Sequence, residues 1–148
     1  MKRLLSCAFV ALALSSMLGC SSTGGSDSML ASLAAEPGIA TLAQQTGVTA
    51  NQAVGGLGSV LAFAKAKLPA EEFSQVSNGI PSADQYIKSL DGFGVKSSEI
   101  KDVVDLRTSL QKIGMSEEVA TRFMPAAVNH IRSTGGEAAA GILAGLGL

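Results

Sequence analysis

The sequence predicts an all-α fold, a compact multi-helix domain of about six to eight helices, with helical hairpins packed on a central Gly/Ala-rich helix. Three observations carry this expectation. Apolar residues recur at helical spacing, while strict alternation is almost absent. Hydroxyl residues and glycines stand at the start and stop positions between the apolar stripes. Hydrophobic residues make up 47% of 148 residues, enough to fill one core and not two.

The first element is an export signal. Lys2 and Arg3 precede a mostly apolar run from Leu4 to Gly19, the pattern of a secretory signal peptide. At 16 residues with three serines inside it, the run falls short of the roughly 20 needed to cross a bilayer. Met17-Leu18-Gly19-Cys20 resembles the lipobox of bacterial lipoproteins, with Met17 where leucine is more usual. The resemblance implies cleavage between Gly19 and Cys20 and acylation (palmitate among the chains) of the Cys20 thiol. It also implies anchoring at the periplasmic face of the outer membrane, since Ser21 and not aspartate follows the cysteine. Two or three acyl chains, at about 0.8 kcal/mol per buried methylene, hold a protein at a membrane without help from charge. An ordinary secreted protein with an unmodified Cys20 is the alternative.

The expected organisation is therefore a signal over 1–19, lipidated Cys20 with a flexible tether over 20–28, and a helical domain over 29–148. A tether of that length reaches about 15 Å on average. Losing Lys2 and Arg3 leaves 9 of the 11 basic side chains against 12 acidic ones, a net charge of −3. No basic stripe offers itself to nucleic acid. Cys7 leaves with the signal, so the mature chain has no spare thiol for a disulfide or for catalysis.

Within the domain, short helices are expected over 29–35 and 39–46, with Pro37-Gly38 as a break. Thr49 and Gln52 form a capping box ahead of a long helix through Lys67. Ala50, Val54, Leu57, Leu61, Ala64 and Leu68 line one of its faces. Segments 70–78 and 82–90 follow, separated by Gly79 and Ile80-Pro81. Ile100, Val103, Val104, Leu106, Leu110 and Ile113 stripe a helix capped by Ser97 or Ser98 and stopped at Gly114. Ser116 caps the next, with Val119/Ala120, Phe123/Met124, Ala127/Val128 and Ile131 facing inward. Pro125 should kink or break it, and Gly135-Gly136 should end it. A last helix spans 137–146.

Gly47-Val48-Thr49 recurs at an offset of 67 as Gly114-Met115-Ser116. This is either a pseudo-symmetric pair of helical hairpins or the ordinary look of any stop-and-cap junction. Gly47-Val48-Thr49, Gln52-Ala53 and Gly55-Gly56-Leu57-Gly58 resemble the opening signature of the bacterial VcgC/VcgE family. Phe73-Ser74, Ile80-Pro81 with Ala83-Asp84, and Gly135-Gly136-Glu137 are similar to its later positions. The family is a domain of unknown function, so the resemblance implies no activity and no catalytic residue.

The chemistry-bearing candidates are few. Gly55-Gly56-Leu57-Gly58 has no preceding strand and no Gly-Lys-Ser/Thr after it, so it is no phosphate cradle. At 100° per residue, Gly55, Gly58, Ala62 and Ala66 form one stripe. Three helical glycines cost about 1 kcal/mol each relative to alanine, which implies close backbone approach. That approach is either internal packing or a groove for an outside helix or acyl chain, with Phe63 or Phe123 lining a cavity in the second case. The charge-free stretch between Glu36 and Lys65 favours internal packing. Gly141 and Gly145 repeat the theme in a segment too short to span a membrane.

His130 is the sole imidazole, and no Gly-x-Ser-x-Gly elbow accompanies it. Ser98/Lys101 and Ser109/Lys112 match Ser-x-x-Lys without the companion motifs. Glu71-Glu72 and Glu117-Glu118 fall in first helical turns, where anions complement the dipole. No catalytic set, metal site or cofactor is expected. The reading is a non-catalytic envelope module that binds another protein or itself. A carrier of an apolar ligand is the alternative, and an enzyme stands third.

Overall fold

The computed structural model describes residues 25–148, and among them every regular element is helical. Cys20, Gly19 and the signal segment lie outside the described residues.

Helix α1 (Gly25–Ala34) takes in 25–28, which the sequence reading gives to the tether; Asp27 in its first turn suits the helix dipole. Helix α2 (Pro37–Thr46) has Pro37 in its first turn, where the missing N–H costs nothing. Pro37-Gly38 thus opens this helix, and the expected break between the two helices falls at Ala35-Glu36, immediately before it. Gly47, at φ 73°, ends α2 in the left-handed conformation that favours glycine.

Helix α3 (Ala50–Lys67) begins at the expected capping box: Thr49 accepts from the Gln52 N–H, and Gln52 accepts from the Thr49 N–H at 3.0 Å. Helices α4 (Ala70–Asn78) and α5 (Ala83–Ser89) follow, and a 3-10 turn continues α5 through Leu90–Phe93. Another 3-10 turn spans Ser97–Glu99, and α6 (Val103–Lys112) comes after it. The expected Ser97 or Ser98 cap is therefore displaced. Asp102 caps α6 by accepting from the Asp105 N–H at 2.8 Å, while Asp105 reaches back to the Lys101 N–H at 3.1 Å. This reciprocal carboxylate pair outcompetes a single serine hydroxyl, and Ile100 is buried from an extended residue ahead of the helix.

Helix α7 (Glu117–Gly145) is capped by Ser116 and broken at Gly136, whose φ of 85° and ψ of 172° redirect the chain between 117–135 and 137–145. Pro125 leaves the dihedrals around it helical, contrary to the expected kink. It lies on the exposed face with Thr121, so water can reach the carbonyl deprived of its donor.

The core is organised around α3. Every residue from Ala53 to Ala64 is buried, because α1, α2, α4, α5, α6 and α7 all pack on it. The α2–α3 and α6–α7 hairpins also interlock, α2 on α7 and α3 on α6, the pairing that exchanging the hairpins would leave unchanged. Their two junctions touch: Gln52 Nε2 donates to the Gly114 carbonyl at 2.9 Å.

Candidate functional site

The glycines of α3 are filled by the chain itself. A Cβ at Gly55 would come 2.8 Å from Cε2 of Phe93, and one at Gly56 would come 2.5 Å from the Phe123 ring. A Cβ at Gly58 would overlap the main-chain carbonyl of Tyr86, so α5 lies directly on that position. Ala62, Phe63 and Phe123 are buried as well, and Ala66 alone of the candidate face is exposed. Close helix approach accounts for the stripe, and the core around it leaves no buried side-chain nitrogen or oxygen unpaired.

Ala62 and Ala66 do border open space. With Lys65, Ser97 and Ser98 they line a surface cleft of about 210 Å³. A second cleft, of about 110 Å³, lies among Val95, Glu99, Ile100, Asp105, Thr108, Ser109 and Lys112. Both are smaller than the few hundred Å³ that enclose a lipid-sized ligand. Ser109 of the second cleft is committed: its hydroxyl shares a 2.6 Å hydrogen bond with Ser59, which also donates to the Gly55 carbonyl. Lys112 is turned to Glu99 at 3.8 Å. Ser98, within the 3-10 turn, and Lys101, just after it, form the other Ser-x-x-Lys pair and are both exposed. Glu71-Glu72 and Glu117-Glu118 stand in the first turns of α4 and α7, as expected.

Sequence reasoning missed the groups gathered at the start of α2. The buried Tyr86 hydroxyl donates to Glu36 Oε2 at 2.9 Å, joining α5 to the residue ahead of α2. Burial and this carboxylate push the phenol's pKa well above its ordinary value. The His130 ring lies against Gly38: a Cβ there would come 2.5 Å from Cε1. Burial lowers the imidazole pKa, and the Glu36 charge opposes that shift in part. His130 also lines a third cleft, of about 190 Å³, with Thr41, Leu42, Gln45, Asn129 and Ser133. The sole tyrosine and sole histidine carry no periodic signal that could have announced these contacts.

The family model described as protein of unknown function VcgC/VcgE (DUF2780) matches residues 31–147, nearly all of the described helices. The chain belongs to this family. No curated protein and no solved structure matches it. The resemblance read from the glycine and small-residue patterns is thus the family itself, and the glycines of α3 that carry part of it are points of close packing, as is Gly79 where the end of α4 lies on the Gly135 backbone. In this VcgC/VcgE protein, no three His, Cys, Asp or Glu side chains among the described residues gather to hold a metal ion. Among the same residues, no helix is long and apolar enough to cross a membrane.

Proposed function

We propose that this VcgC/VcgE chain is an exported lipoprotein, anchored through Cys20 to the periplasmic face of the outer membrane, whose helical domain is a non-catalytic interaction module. The observation that carries the module reading is the burial of α3 from Ala53 to Ala64 by the chain's own helices. A carrier needs that central space for its cargo. Here Phe93, Ile113, Phe123, Met115 and the Tyr86 backbone occupy it. Recognition is then left to the outer surface, where binding needs no enclosed volume.

Native mass spectrometry of the purified protein tests this reading. The expected mass is that of the acylated polypeptide, singly or as a defined oligomer, with no further small molecule. A co-purifying mass of a few hundred daltons, lost on denaturation, would overturn the module in favour of a carrier. The anchor is tested separately. Cys20→Ala should leave an unprocessed precursor without metabolic acyl label, and a correctly cut, membrane-bound variant would refute lipidation.

A further inference from the structure

We propose that the seam between α2 and α7 is an acid-responsive joint, held by neutral His130 against the backbone of Gly38 and loosened when that imidazole takes up a proton. The ring is seated on main chain and not on a side chain that could give way: all three atoms nearest a Cβ at Gly38 belong to it. The hydrogen bonds at His130 run to its carbonyl, from the Ser133 and Thr134 hydroxyls, and among the described residues neither ring nitrogen has a partner. Gly38 lies in the first turn of α2, where unsatisfied N–H groups carry partial positive charge. Glu36 does not cap that end, its carboxylate being engaged by Tyr86. A charged imidazole would thus meet the positive end of a helix across a half-buried contact.

The groups facing His130 can be enumerated. Glu36, ahead of α2, is the charge that bears on the ring, and it favours protonation. Tyr86 of α5 donates to that carboxylate, and its own pKa is pushed upward, so it stays neutral. On α7 itself, Arg132 is turned to Asn129 at 2.9 Å and to Glu137 at 3.3 Å. Burial outweighs Glu36, so the closed seam binds a proton less readily than an open one. The cleft beside the ring, walled by Thr41, Gln45, Asn129 and Ser133, opens to solvent and gives protons access.

The sign follows from linkage. A histidine whose folded pKa is depressed stabilises the closed seam fully above the ordinary pKa of about 6.5. That contribution is lost as pH falls from there to the folded value, and it does not fall further below it. Because the chain has one histidine, the Cε1–H resonance of the full-length protein is unambiguous. Its midpoint should lie below 6.5. Over the same window, amide protection in α2 should fall about tenfold for each unit of depression, while protection in α5 stays level. His130→Gln should make α2 protection indifferent to pH in that window. A midpoint at or above 6.5 in the unaltered protein, or α2 protection that ignores the titration, would overturn the proposal, and neither result depends on a variant folding.

Discussion

Glycine at position 58 is required by a main-chain carbonyl, not by backbone conformation, and this separates it from Gly55 and Gly56 on the same helix, which meet side chains. Alanine is intrinsically about 1 kcal/mol better than glycine in a helix, so Gly→Ala stabilises wherever there is room. At Gly141 nothing lies within 4 Å of the new Cβ, and Gly141→Ala should raise stability by about 0.5–1 kcal/mol. At Gly58 the Cβ meets the Tyr86 carbonyl, which can move only with α5. Gly58→Ala should therefore lower stability, by about 1–3 kcal/mol as overpacking does, in spite of its propensity gain. Urea denaturation of both variants checks the pair, and equal shifts would show that α5 yields easily. Gly56→Ala should fall between them, because the atoms it meets are the ends of Phe123 and Met115.

The helix ends show what kind of structure could be read from sequence. Thr49 with Gln52 and Ser116 ahead of Glu117 are local motifs, complete within four residues, and both caps form as expected. The start of α6 departs from the Ser97 or Ser98 expectation because two local solutions compete there and the apolar stripe does not distinguish them: Ile100 is buried although its backbone is extended. Asp102→Ala should then cost about 1 kcal/mol through loss of the cap, whereas Ser97→Ala and Ser98→Ala should stay within about 0.5 kcal/mol. Thermal unfolding of the three variants decides between the two starts. The inward use of the α3 glycines was legible in the charge-free run from Glu36 to Lys65 together with the apolar and small residues all round 53–64; α2 lies in the same run but keeps Thr41 and Gln45 on a face that water reaches. The contacts at His130 were not legible. They depend on which helices become neighbours, and no spacing within α2 or α7 encodes that.

At the scale of the molecule, the packing sets an order of opening. Helix α3 touches six others and buries Ala53 through Ala64, so its amides can exchange only when the surrounding helices have separated. Helix α1 buries Leu33, while 27–32 and Ala34 stay at least partly exposed, and its removal would leave the two hairpins interlocked. Segment 137–145 is intermediate: Ala139, Ala140 and Leu143 are buried, but Gly136 interrupts its hold on the rest of α7. Native-state hydrogen exchange should accordingly show α1 opening first and 137–145 next. Residues 54–64 of α3 should exchange only with the free energy of global unfolding. Because α2 packs on α7 and α3 on α6, with the Gln52 bond to the Gly114 carbonyl only adding to that hold, α2–α3 and α6–α7 should be lost as one unit at pH above the His130 titration. Gln52→Ala tests this directly. It should lower global stability by about 1–2 kcal/mol, removing half of a capping box and a bond between the hairpins, without exposing one hairpin ahead of the other. Separate exchange of α6–α7 in that variant would mean that the hairpins are independent folding units joined chiefly by that contact.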